Sequence, residues 1–234
     1  MRSFKTEGII IKRKNYNEAD RILTVFTKFH GKIQVKAAGI RRIPSRRSAH
    51  VELLNYSLLS LYRGRFYPIL TEAQSMDSFS PIKDDLTKVG LAFHLCELID
   101  GLCPENQENT KVFYLLKNIL THLSESKDEN SNIEYRNPKQ IQNTNDQNTK
   151  HFEHSNLENL NIVSNFGFRA SDLSKVTRND NVSTLIHDFE IELLTTLGYY
   201  SKANILAQNF NTHNFIENIL ERKLKSYPIF AKLQ

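Results

Sequence analysis

Apolar residues in this chain keep one period as far as Met76 and a different one beyond it. Lys32 to Ala37 alternates strictly: Ile33, Val35 and Ala37 fall on one side, Lys32, Gln34 and Lys36 on the other. A period of two means a sheet with one buried and one wet face. Thr6 to Lys14, carrying Ile9, Ile10 and Ile11, and Arg21 to Lys28, carrying Ile22, Leu23, Val25 and Phe26, predict two strands ahead of it. Asn15-Tyr16-Asn17 and His30-Gly31 supply turns. Val51 to Tyr62 and Tyr67 to Met76 predict two further strands, joined by Arg63-Gly64-Arg65. Five strands in about 75 residues, with a long connector after the third, fit a small antiparallel barrel of the OB-fold type.

After Met76 the period becomes helical. Ser80 is placed to cap a helix, with Pro81 at its first position and Asp84 and Asp85 in its first turn. Leu86, Val89, Phe93, Cys96 and Ile99 follow at steps of three and four, and Gly101 and Pro104 end the run. A second stripe, Val112, Phe113, Leu116, Ile119, Leu120 and Leu123, predicts a helix over 110–124. The signal then collapses. Asn supplies twelve of the sixty residues 124–183, a composition expected of a poorly ordered insertion. Helical period resumes with Leu185, Ile186, Phe189, Leu193 and Leu197, stopped by Gly198. A last amphipathic helix is expected over 212–226. The predicted class is β + α in two domains. Residues 1–79 form a five-stranded OB-fold barrel for nucleic acid, 80–124 and 182–234 an all-helical domain, and 125–181 a poorly ordered insertion.

Charge divides the chain at nearly the same place. Residues 1–80 hold fifteen Lys and Arg against six Asp and Glu, and residues 81–234 hold sixteen against twenty. The whole-chain net charge of +5 thus conceals a cationic front and a mildly acidic back. Clustered cations release counterions from phosphates, which points to nucleic acid as the partner of the front half. Cys96 and Cys103 sit about two helical turns apart, too far for a bridge, and free thiols suit a reducing cytosol. No apolar run reaches about 18 residues, so no membrane span is expected. The charged, strand-like start is unlike a signal peptide. The expected location is cytoplasmic.

The segment Gly39-Ile-Arg-Arg-Ile-Pro-Ser-Arg-Arg-Ser48 places Arg41, Arg42, Arg46 and Arg47 in one exposed connector. Arg suits phosphate because its planar fork grips two oxygens at once. Lys12, Arg13, Lys14, Lys32, Lys36, Arg63 and Arg65 add to the same field and complete the candidate DNA-binding set. Lys12 and Lys14 share a side of their strand, as do Lys32 and Lys36. Tyr16, Tyr62, Phe66 and Tyr67 come into question as stacking platforms, and Tyr62 and Tyr67 are carried forward as candidates for stacking on bases. Phe4, Phe26 and Phe29 read as core. The Glu18-x-Asp20-Arg21 group reads as a structural pair at a strand entry. The eight histidines show no metal-ligand spacing, and His151 and His154 read as chance. No glycine-rich phosphate loop occurs, so an ATP-driven motor is not expected. No catalytic site, metal or cofactor is expected.

Several segments together resemble one family. Lys5-Thr-Glu-Gly-Ile-Ile-Ile-Lys-Arg-Lys14, followed by Asn17-Glu-Ala-Asp-Arg-Ile-Leu-Thr24, is similar to the opening of the RecO family of bacterial recombinational repair mediators. Phe29-His-Gly-Lys32, Ala38-Gly-Ile-Arg-Arg42, Leu61-Tyr-Arg-Gly-Arg65 and Phe189-Glu-Ile-Glu-Leu-Leu-Thr-Thr-Leu-Gly-Tyr199 continue the resemblance in order. It implies a protein without enzymatic activity that binds single- and double-stranded DNA and anneals complementary strands. It also implies work with RecR and with the C-terminal tail of the single-strand DNA-binding protein, and so an indirect role in loading RecA. Many family members carry a four-cysteine zinc site after the Leu-Gly-Tyr helix. Tyr200 to Asn214 here contains no cysteine, so no zinc is expected. Two other readings stay open: an RNA-binding OB-fold protein, and a scaffold for acidic protein partners. A hydrolase has no nucleophile–base spacing behind it.

Overall fold

The computed structural model describes residues 2–43, 45–126, 178–201 and 211–226. The expected five strands are present: β1 (Ser3–Tyr16), β2 (Asp20–Thr27), β3 (Gly31–Ala37), β4 (Tyr56–Tyr62) and β5 (Ile69–Asp77). They run round a closed ring in the order β1-β2-β3-β5-β4, with β4 returning to β1. Neighbours are antiparallel except β3 and β5, which meet in parallel at Lys36 and Ile69. Ile10, Leu23, Val25, Ile33 and Val35 point inward with Leu59, Leu61 and Leu70, as the period of two requires. A bulge between Ile10 and Lys12 inserts Ile11, so three consecutive isoleucines are all buried. Val51, expected at the start of the fourth strand, lies instead in a 3-10 turn over Ala49–Val51.

The outer face carries a second apolar patch. Ile9, Phe26 and Lys32 are cross-strand partners pointing out of the ring, and all three are buried. Helices cover them. The Phe26 ring lies 6.4 Å from that of Phe113. Phe29, expected in the core, stands 52% exposed beneath the Lys28 ammonium.

The helices are α1 (Ser80–Lys83), α2 (Leu86–Leu102), α3 (Thr110–Glu125), α4 (Arg178–Thr196) and α5 (Thr212–Leu220). The run expected as one helix from Ser80 is broken after Lys83. Asp85 caps α2 by accepting from the amides of Thr87 and Lys88, at 2.7 and 3.3 Å. That satisfies donors a helix start leaves unpaired. Nearly every side of α2 is buried except the one carrying Leu86 and Phe93. Phe93, part of the apolar stripe that predicts this helix, is therefore a surface residue. Gly101 sits inside the last turn of α2, where an added Cβ would lie 2.9 Å from Leu220 of α5. His94 links α2 to the C-terminal segments: its Nδ1 is 2.9 Å from Ser226 Oγ and its Nε2 3.3 Å from Glu190 of α4. Thr212 donates to the other Glu190 oxygen. Both cysteines are free and buried, and burial pushes each thiol up to about 12.

The described residues within 1–126 and 183–226 belong to one compact unit. Most of the Asn-rich stretch expected as an insertion, 127–177, lies outside the described residues. Its end does not: α4 begins at Arg178. No helix among the described residues is long and apolar enough to cross a membrane.

Candidate nucleic-acid interface

Three connectors border the exit of β3, the loop end of the ring. Backbone groups tie the arginine loop after β3 to the β1–β2 turn, and the β4–β5 turn to β3 just before that loop. Arg41 donates its amide to Ala19 O at 3.0 Å, and Gly39 donates its amide to Asp20 at 2.8 Å. Lys36 donates its amide to Pro68 O at 2.8 Å. The Arg41 guanidinium reaches Asn17 O at 3.4 Å. The opposite end is occupied. There the β2–β3 turn packs so closely on Gln107 that a Cβ on Gly31 would sit 1.8 Å from its carbonyl oxygen.

This arrangement sorts the expected DNA-contacting residues. On the outer face, one row is Ile9, Phe26 and Lys32, the next Lys12, Thr24 and Gln34, the last Lys14, Ile22 and Lys36. The helices claim the first two rows. Lys32 is buried, and its ammonium donates to Asp100 O and lies 3.7 Å from the Asp100 carboxylate. Lys12 pairs with Asp100 at 2.7 Å, and Gln34 donates to Glu105 at 2.7 Å. Arg13 pairs with Glu52. Lys32 is thus buried against α2, while Lys12, whose side chain is 61% exposed, and Arg13 each have a carboxylate partner. Only the last row, at the loop end, keeps its cations clear of helix carboxylates.

Around the exit of β3 lie Lys14, Lys36, Arg41, Arg42, Arg46 and Arg47, while Arg63 and Arg65 stand on the β4–β5 turn that Pro68 ties to Lys36. Lys14, Arg42 and Arg46 are exposed, with no ion pair among the described residues. Lys36 pairs with Asp20 at 3.1 Å and lies over the Tyr16 ring at 5.4 Å. The Gly39 amide is the main reason the Asp20 carboxyl is held below its ordinary range, with Lys36 assisting against burial. The Glu18-x-Asp20-Arg21 group is accordingly structural: Asp20 orders the loop and Arg21 lies 3.7 Å from Glu52. Arg47 is turned inward and donates to Leu70 O at 2.6 Å and Ala38 O at 2.8 Å.

A cleft of about 520 Å³ opens under the loop, lined by Asp20, Gly39, Arg42, Ser45, Arg46 and Arg47. The Ser45 hydroxyl in its wall is buried and has no hydrogen-bond partner among the described residues. Two free guanidinium forks beside an unpaired hydroxyl suit a phosphate oxygen, which accepts from both kinds of donor. The Ser45 hydroxyl is not hydrogen-bonded to the Asp20 carboxylate of the same lining.

Aromatic rings border the same end. Tyr62 and Tyr67 are 38% and 39% exposed, Tyr16 44% and Phe66 81%. Tyr16 and Phe66 are thus better presented than the two tyrosines carried forward from sequence. Tyr16 was legible from the strand period, which puts it on the Lys12–Lys14 side. Phe66 had only its position between turn residues to mark it.

Residues 1–79 match the family model described as "Recombination protein O N terminal", and residues 83–136 match "Recombination protein O C terminal". A relative from Roseiflexus sp. (strain RS-1), named DNA repair protein RecO, is 37% identical over 123 residues, covering 53% of this chain and 43% of its own. Relatives of the same name from Dehalococcoides mccartyi (strain ATCC BAA-2100) and Acetivibrio thermocellus are 40% and 36% identical. Those two matches cover 51% and 54% of this chain and 47% and 50% of theirs. The chain spans about half the length of the curated relatives it matches. The two family models together take in more than half of the chain, ring and following helices alike, and the chain belongs to the RecO family.

Proposed function

We propose that this chain is a DNA-binding protein of recombinational repair, without enzymatic activity. Its loop end binds single- and double-stranded DNA by the phosphates and promotes annealing of complementary strands. The observation that carries this reading is the arginine loop at the exit of β3, where Arg42 and Arg46 flank a cleft and form no ion pair among the described residues. The mechanism is electrostatic. Cations at the loop end neutralise phosphates on two strands, lower their repulsion and let base pairing proceed. The printed names of the relatives, DNA repair protein RecO, favour the repair setting. In that setting the chain works with RecR on DNA coated by the single-strand binding protein, and so assists RecA. No cofactor enters the mechanism, and the setting is the bacterial cytoplasm at the nucleoid.

The test is a fluorescence-anisotropy titration of a single-stranded oligonucleotide at several salt concentrations. With about five phosphates contacted, log affinity falls with log salt at a slope of about −3.5. A slope near zero rejects the reading. Replacing Arg41, Arg42 and Arg46 together by Ala, with Arg47 left in place, is expected to weaken binding to all sequences alike. The same change is expected to slow annealing of strands coated by single-strand binding protein. Undiminished annealing removes the arginine loop from the mechanism.

A further inference from the structure

Phe66 is the most exposed aromatic residue among the described residues, at 81%. Leaving a phenyl ring in water forgoes the burial that usually decides where Phe is placed. The ring is also held. Gly64 packs so tightly that an added Cβ would lie 2.3 Å from Tyr67 O. Arg63 donates its amide to Arg2 O at 2.8 Å, and Tyr62 and Ile69 pair across the base of the turn. Phe66 therefore stands on a short, braced tip. The Arg65 guanidinium lies over the ring at 5.3 Å, which leaves the other face bare. The segment from Arg63 to Pro68 contains two arginines and no carboxylate. Backbone ties it, through Lys36 and Pro68, to β3 just before the arginine loop leaves that strand.

A flat bare face, a cation stacked behind it and a second cation beside it match an unpaired nucleobase with its adjoining phosphate. An apolar protein partner would have to desolvate both arginines to reach the ring. We propose that the β4–β5 tip is a base-stacking site in which Phe66 receives one unpaired base of a single strand on its bare face. This rests on the nucleic-acid reading above and adds to it a contact that salt does not screen.

The chain contains no tryptophan, so Phe66→Trp introduces one fluorophore at the tip. Its emission is expected to be quenched as a single-stranded oligonucleotide binds, in step with anisotropy. Phe66→Ala is expected to weaken single-strand binding about fivefold or more with an unchanged salt slope, because no charge is lost. Phe66→Leu, apolar but without a π face, is expected to behave like Phe66→Ala. On a strand of equal length made abasic, wild type and Phe66→Ala are expected to bind alike. Equal binding of an intact strand by wild type and Phe66→Ala overturns the proposal. So does unquenched tryptophan emission in a complex that anisotropy shows to be formed, or full recovery with Phe66→Leu. Those results leave the phosphate reading standing if the wild-type slope is about −3.5. A wild-type protein that binds no oligonucleotide takes both readings down.

Discussion

Arg47 donates to the backbone carbonyl of Leu70 at 2.6 Å, although Arg42 and Arg46 of the same loop are exposed. A second bond, to Ala38 O at 2.8 Å, fixes the loop root on β3 as well as β5. Arg47→Ala leaves two carbonyls without this donor and is expected to cost about 1–2 kcal/mol of stability. Arg46→Ala is expected to leave stability within about 0.5 kcal/mol while weakening DNA binding. Urea unfolding of the two variants, beside oligonucleotide anisotropy, makes the comparison. Equal stabilities would remove the structural role of Arg47.

Asp100 of α2 gathers Lys12 and Lys32, two cations that sequence assigns to DNA. Lys32→Met is expected to leave the salt slope of DNA binding unchanged, because this ammonium is buried against α2. Lys36→Met is expected to make the slope shallower by about 0.7, one phosphate contact. An equal change in both slopes would place Lys32 at the DNA after all.

Gly31 and Gly198 both have positive φ, +62° and +80°. Only the first faces an obstacle: a Cβ there meets Gln107 O at 1.8 Å, while one on Gly198 meets nothing within 4 Å. Gly198→Ala is expected to cost about 1 kcal/mol, the backbone penalty alone. Gly31→Ala is expected to cost at least about 2 kcal/mol, since backbone must move as well. Thermal unfolding separates the two, and similar midpoints would contradict the close packing of the β2–β3 turn on Gln107.

Burial pushes the Glu97 carboxyl up, but the Ser226 hydroxyl, the amides of Lys225 and Ser226 and the Arg222 guanidinium outweigh it and bring the pKa to about 2. The ordinary value is 4.5. A carboxyl with a lowered folded-state pKa stabilises the fold above its unfolded value, and the contribution disappears as pH falls through the folded value. Stability is therefore expected to drop between about pH 4.5 and pH 2 through this group. Glu97→Gln is expected to flatten that part of the profile and to start from a lower plateau at neutral pH. A Glu97→Gln profile parallel to wild type over that range would exclude the effect.

Much of the architecture was written locally. Strict alternation in Lys32–Ala37 and the glycine at position 31 located strands and a turn, because side chains alternate across a strand whatever lies around it. The stripe from Val112 to Leu123 located α3 in the same way. The break between α1 and α2 was harder to read, since Asp84 and Asp85 suit both a first turn and a cap. Phe93 and Phe29 misled because an apolar residue at the right spacing carries no record of which face is finally covered.

The amino-acid order alone determined the two periods, the cationic front and the four-arginine loop, since these rest on backbone geometry and on counting charge. It could not distribute those cations between scaffold and solvent. Lys12, Lys32 and Arg47 found protein partners only when residues 88, 68 and 23 positions away came within hydrogen-bond reach of them. Lys14, Arg42 and Arg46 stayed exposed, with no ion pair among the described residues. A charge becomes available to a ligand only after the fold has decided which partners stand beside it, and that decision is long-range.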